Sequence, residues 1–215
     1  MRALTIALIC AIAGAVAGPA HADEGIGTVT NVRKTVYGAV GQAARQPVRI
    51  EDDVATGEVL QTAESSAILV RFADRSQLTL GADSRLSIDE FVYAEGTEGG
   101  KALLRVSGGA LRWVSGDLPD GAISFATPSA DLVLHDANIS IRVAPNGDTL
   151  VAVAAGDVDV TVKATGKTGT LTAGESVLIS PNEVKALSAG IAATGDQIVD
   201  LGWPASAIGD STGKD

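Results

Sequence analysis

Cysteine and histidine are nearly absent from this chain of 215 residues. The one cysteine, Cys10, lies in an apolar stretch at the N-terminus, and the two histidines are His21 and His135. If the N-terminal stretch is removed on export, the remaining chain has no disulfide and no thiol, so its stability must come from a hydrophobic core. One remaining histidine cannot build a zinc or copper site, and no acidic spacing resembles a calcium loop. The sequence therefore predicts no metal site.

Aromatic and basic residues are also scarce. Aromatic side chains make up 3% of the chain, so valine, leucine, isoleucine and alanine must form the core. Sixteen lysines and arginines face 26 acidic residues, which gives a net charge of −10. Such a charge opposes binding to nucleic acid or to anionic lipid. We therefore predict no nucleic-acid partner.

A long apolar run occurs only at the N-terminus. Arg2 precedes an apolar stretch over residues 3–18, and Ala20-His21-Ala22 then fits a small-x-small cleavage site. The stretch is shorter than the roughly 20 residues that span a membrane. We predict a signal peptide over residues 1–22, cleavage between Ala22 and Asp23, and a periplasmic protein with no transmembrane segment in its mature chain. A retained N-terminal anchor is the alternative.

Alternation of apolar and polar residues with period two runs through most of the remaining chain. Ile68, Val70 and Phe72, for example, alternate with Leu69 and Arg71. Turn signals recur every 8 to 12 residues or so, and no helical periodicity is found outside the N-terminal stretch. These patterns predict an all-β fold, a jelly-roll-like β-sandwich of many short strands. A β-solenoid-like roll is the alternative, but recurrent glycines are too unevenly spaced to favour it, at Gly57, Gly109, Gly156 and Gly174.

The predicted domain covers residues 23–186, and residues 187–215 are predicted to form a C-terminal tail. The alternation fades in the tail, which is rich in Ser, Gly, Ala and Asp. It contains one short apolar cluster that ends at Trp203, before Pro204. This cluster either folds back over the sandwich as a strap or offers Trp203 to a partner as an anchor. We favour the strap.

No catalytic constellation stands out. His135 is next to Asp136, with Ser129 and Ser140 nearby, which raises the possibility of a hydrolase. Adjacent strand residues point to opposite faces, however, and the G-x-S-x-G motif is missing. The Gly-Gly pair at 108–109 precedes a strand and not a helix, so it is no phosphate cradle. We predict neither catalytic residues nor a cofactor, and hence a protein that is not an enzyme.

Six segments occur in an order that resembles the FecR domain of bacterial envelope signalling proteins. They are DDVATGEVLQT, SAILVRFADRSQLTLGADSRLSI, LLRVSGGALRW, ISFATPSADLVL, GDTLVAVAAGDVDV and GTLTAGESVLI, and they cover residues 48–180. The resemblance implies an all-β, jelly-roll-like sandwich that works in the periplasm as a sensing or interaction module.

The chain departs from this family in two places. Members that regulate sigma factors carry a cytoplasmic segment and a membrane span, whereas here the predicted signal peptide directly precedes the domain, which argues against sigma-factor control. Where the family tends to have Arg-Gly-Thr, this chain has His135-Asp136-Ala137. Glycine there indicates a tight turn, which Asp tolerates better than most residues. His135, Asp136 and Trp203 are the candidate interaction residues.

The function predicted from these observations is a soluble periplasmic FecR-like module that binds an envelope protein or a glycan. The alternative is a structural subunit that assembles an envelope complex through exposed strand edges. Neither hypothesis specifies an oligomeric state.

Overall fold

The computed structural model describes residues 25–97, 99–180 and, as backbone alone, 183–187. The predicted cleavage site at Ala22 and Asp23 lies outside these residues, and so does the tail cluster with Trp203. Within the described ranges every regular element is a β-strand. No helix there is long and apolar enough to cross a membrane.

Fifteen strands form one continuous sheet. Their bounds are β1 Gly27–Arg33, β2 Val36–Val40, β3 Gln46–Pro47, β4 Asp53–Val54, β5 Glu58–Thr62, β6 Ala67–Phe72, β7 Gln77–Leu80, β8 Arg85–Val92, β9 Lys101–Val114, β10 Ile123–Ala126, β11 Ala130–Val143, β12 Thr149–Val162, β13 Thr168–Thr172, β14 Ser176–Ser180 and β15 Glu183–Leu187. Among these, β9 and β10 pair in parallel and the other pairings are antiparallel. The all-β prediction is confirmed.

The sheet folds over into two layers because β9, β11 and β12 each contribute to both. The first layer has the order β4-β1-β6-β7, then one half each of β9, β11 and β12, then β14-β15. The second layer has the order β3-β2-β5-β8, then the other half of β9, then β10, then the other halves of β11 and β12, and finally β13. Each of the three shared strands is 14 residues long.

A left-handed residue marks each place where a long strand passes from one layer to the other. Gly109 in β9 has a φ of 89°, Asp136 in β11 has 44°, and Gly156 in β12 has 70°. The pairing of β11 with β12 also shifts register between His135 and Asn138. An extra residue of this kind bends a strand without ending it. The three bends therefore let the long strands turn from one layer into the other.

Aromatic contacts join the two layers. Phe72 of the first layer stacks on Phe91 of the second, with ring centroids 4.9 Å apart. Trp113 of the first layer meets Phe125 of the second edge-on at 5.4 Å. Phe72 and Trp113 are also 5.4 Å apart, so the four rings form one cluster. Four of the seven aromatic residues of the chain thus lie where the layers pack together.

The alternation predicted for residues 68–72 is confirmed. Ile68, Val70 and Phe72 are at most 3% exposed, whereas Arg71 on the opposite face is exposed. The prediction of many short strands needs correction at three places. β9, β11 and β12 are each one continuous strand, whereas the alternation indicated two shorter strands with a break between them. At Gly109, Asp136 and Gly156 the chain bends but keeps its pairing. Two further corrections concern the N-terminal part of the sheet. The alternation did not identify β2, and it indicated a strand over residues 47–51, of which only Pro47 lies in a strand.

Candidate functional site

His135 lies at the bend of β11 and is held between two carboxylates. Its Nδ1 is 3.2 Å from both carboxylate oxygens of Asp120, which belongs to the loop between β9 and β10. Its Nε2 is 3.1 Å from Oδ2 of Asp159 in β12. The other oxygen of Asp159 accepts a hydrogen bond of 2.6 Å from the hydroxyl of Thr170 in β13. One imidazole thus connects a loop with three strands of the second layer.

The charges in this cluster support one another. The hydrogen bond to Asp120 and then that to Asp159 raise the pKa of His135 above its ordinary value of 6.5. The hydrogen bonds from Thr170 and His135 lower the pKa of Asp159. Both ring nitrogens can donate only when the imidazole is protonated. The arrangement therefore favours an imidazolium between two carboxylates. Such a group suits a pH-dependent link between the loop and β12 better than it suits a general base.

The tight turn expected at Asp136 is observed. Asp136 has a positive φ and an exposed side chain, and its carbonyl oxygen lies directly against Gly156 of the neighbouring bend. A side chain at Gly156 would overlap this oxygen, so the two bends pack closely because one of them is glycine. The proposed interaction roles of His135 and Asp136 remain predictions.

The imagined Ser-His-Asp constellation is not assembled from these residues. The carboxylates that contact His135 come from Asp120 and Asp159. The hydroxyl of Ser129 donates instead to the carbonyl oxygen of Ile179, 3.1 Å away. The alternation in β12 places Asp157 and Asp159 on its exposed face, but it does not show that Asp159 contacts His135. No signal in the sequence identified Asp120, because a loop residue has no periodicity that would place it beside His135.

Metal binding finds no support in the described part of the chain. Within residues 25–97 and 99–180, no group of three or more His, Cys, Asp or Glu side chains is arranged to hold a metal ion.

A second feature is an apolar opening at the end of the sandwich, with a volume of about 280 Å³. It lies between β12 and β13 of the second layer and β14 of the first, and its apolar lining consists of Val160, Val162, Leu171, Val177 and Ile179. Beside it, β13 pairs with β12 alone among the described strands. The second layer thus ends beside a small apolar opening.

Residues 58–159 match the family model described as FecR protein. The matched segment runs from β5 into β12 and includes the three bends together with His135, Asp120 and Asp159. The chain therefore carries a FecR domain over this segment. The resemblance found in the sequence is confirmed.

Two solved structures are also similar to the chain, and both are of a proposed anti-sigma factor from Parabacteroides distasonis ATCC 8503. Their sequence identities are 15% and 14%, with TM-scores of 0.47 and 0.48. Each match covers 60% of this chain and 57% of the other, so the chain spans little more than half the length of those proteins. Values this low support no inference about function. No protein with a curated description matches the sequence.

Proposed function

We propose that this protein is an exported, non-catalytic FecR module that binds another component of the bacterial envelope, as part of sensing or signalling. The observation that carries the proposal is the FecR domain over residues 58–159. Residues 1–22 support export to the periplasm, because a basic residue, an apolar stretch and a small-x-small cleavage pattern follow one another there.

The arrangement of the polar groups supports binding over catalysis. At His135, both ring nitrogens are engaged by carboxylates of the same chain. A catalytic base needs a free ring nitrogen within hydrogen-bond reach of the proton that it removes. The two-layer scaffold instead presents loops and outer strand faces, which are the usual places for recognition in β-proteins.

Export is tested by N-terminal sequencing of the protein recovered from a periplasmic fraction. The sequence is expected to begin at Asp23. Recovery of the intact chain from Met1 in the membrane fraction would contradict export and would favour the retained anchor.

Binding is tested by capture from periplasmic extract with the tagged mature protein, followed by mass spectrometry and glycan analysis. One envelope component is expected to be enriched and to be displaced by an excess of untagged protein. The control is the Phe72→Ala variant, used at a temperature at which its melt shows it largely unfolded and the parent protein folded. A component retained equally by this variant, or one that untagged protein does not displace, would argue against a specific module.

A further inference from the structure

The outer face of the second layer carries a row of three polar side chains on adjacent strands. Tyr37 of β2 lies directly opposite Gln61 of β5, and Gln61 lies directly opposite Arg85 of β8. Directly opposed side chains on neighbouring strands are about 4.5 to 5.5 Å apart at Cβ. The strand register therefore places an aromatic ring, an amide and a guanidinium side by side.

A groove of about 160 Å³ runs beside this row. Ala39 and Val59, which also face each other across β2 and β5, leave space at its base because their side chains are small. The turn after β2 supplies the remaining wall and contributes Arg45. Two arginines from different elements thus border one small groove.

The groove offers hydrogen-bond donors and no negative charge. Arg85 Nη1 donates to Gln61 Oε1 at 3.3 Å, so the amide nitrogen of Gln61 is left to donate. No acidic side chain is among the lining residues. Two other arginines, by contrast, are paired with carboxylates, Arg75 with Asp117 and Arg105 with Asp89. Within the described ranges, Arg45 and Arg85 have no such partner, although the chain carries 26 acidic residues.

We propose that this groove binds a carboxylated sugar. A guanidinium matches a carboxylate with two parallel hydrogen bonds, and the amide of Gln61 can donate to a ring hydroxyl. Tyr37, which is 37% exposed, offers an aromatic surface for the apolar face of a sugar ring. The inference rests on the proposed binding function and names the class of ligand.

An extended peptide fits this place less well. A peptide that adds to a sheet needs an unpaired strand edge. Here β2, β5 and β8 are each paired on both sides, β2 with β3 and β5, β5 with β2 and β8, and β8 with β5 and β9. The lining also has no large apolar cavity for an anchoring side chain. A single ring with a carboxylate uses the donors that are present.

The test is titration calorimetry of the mature protein, purified from periplasm, with a disaccharide that contains glucuronic acid. Saturable binding that weakens as ionic strength rises is expected, because the contacts to the carboxylate are exposed and therefore screened. Arg45→Gln and Arg85→Gln are each expected to weaken binding about tenfold or more, the size of a lost charged hydrogen bond. Tyr37→Ala should weaken it as well.

Arg71→Gln is the matched control, since Arg71 is exposed on the outer face of the first layer and its loss changes the net charge equally. Denaturant melts of all variants show whether folding is retained. Arg45 lies between β2 and β3, outside the strands, so its replacement should leave the strand pairing intact. Equal binding of a neutral glucose disaccharide, tighter binding of an acidic peptide, or an equal loss in Arg71→Gln would overturn the proposal. If the groove variants still capture the envelope component, the groove assignment fails while the binding function stands.

Discussion

At the scale of single residues, Phe72 is a core side chain that packs the two layers against each other. It is 3% exposed and lies between the rings of Phe91 and Trp113. Its neighbour Leu69, on the opposite face of β6, is only half-buried. One strand therefore offers both a core position and a matched surface position.

Phe72→Ala is expected to lower the free energy of unfolding by about 3 to 5 kcal/mol, because a large buried ring is lost and a cavity remains. Leu69→Ser should cost much less. Denaturant melts of the two variants and the parent protein measure both values. Equal losses would mean that both faces of β6 are covered, which the two-layer arrangement does not allow.

His135 gives a second prediction, in which pH decides the outcome. Its pKa is raised in the folded protein, so its contribution to stability is full below the ordinary value of 6.5 and is lost as the pH rises through the folded pKa. The charged groups around it are Asp120 on the loop, Asp157 and Asp159 on β12, and Asp136 beside it. Replacing the imidazole should therefore matter most in acid.

His135→Gln is expected to lower the melting temperature more at about pH 5.5 than at about pH 9, because the protonated fraction of the parent imidazole falls as the pH rises. Asp120→Asn is the companion variant, since it removes one carboxylate partner and keeps the imidazole. It should also reduce the pH dependence of the melting temperature, as His135→Gln does. Thermal melts across this range measure the effect. A difference from the parent that is constant with pH would show that the cluster does not act through its charge.

At the scale of elements, the bends in β9, β11 and β12 determine the architecture. Each bend contains a residue with positive φ, and two of these residues are glycines. The crowding differs from place to place: a side chain at Gly156 would overlap backbone atoms of the β11 bend, whereas one at Gly166 meets nothing within 4 Å. The two glycines have φ values of 70° and 66°, so they differ in surroundings and hardly in conformation.

Gly156→Ala is expected to destabilise the protein well beyond Gly166→Ala. The change at Gly166 should cost only the conformational penalty of a left-handed alanine, about 1 to 2 kcal/mol. At Gly156 the same penalty is joined by steric overlap, so the two layers must shift. Urea denaturation of both variants gives the comparison, and similar losses would show that close packing of the bends is not needed.

These bends also mark how far the sequence could predict the fold. Period-two alternation located most strands, because burial of one face requires it. The alternation is interrupted at Gly109, Asp136 and Gly156. In the sequence, an interruption caused by a bulge looks the same as one caused by a turn. Only the partner strand, which continues the pairing on both sides, distinguishes the two. Sequence alone therefore predicted several short strands where three long ones run through both layers.

The candidate sites were harder to predict, since their members meet only through tertiary pairing. His135 was singled out from the sequence, but the position of Asp120 depends on how the loop after β9 returns to the sheet. Tyr37, Gln61 and Arg85 are 24 residues apart each time, and only the register of β2, β5 and β8 brings them into one row. A strand that was not predicted, β2, supplies one of the three.

At the scale of the whole molecule, we propose that the FecR domain, after export, presents the outer surfaces of its two-layer sandwich to an envelope component. Apolar residues of both layers are turned inward into one core. The exposed large apolar side chains are few among the described residues, and Tyr37, Ile50 and Val92 are three of them, with 37%, 55% and 52% of their surface accessible. These positions report directly on whatever approaches the outer surface.

The most direct measurement is photo-crosslinking in living cells, with a photoreactive amino acid introduced in turn at positions 37, 50 and 92. A light-dependent adduct of higher mass is expected in the periplasmic fraction from at least one of these positions, and most strongly from position 37 beside the groove. Cells kept in the dark are the control. An exported, folded protein that forms no adduct at any of the three positions would contradict the claim that these surfaces bind an envelope component.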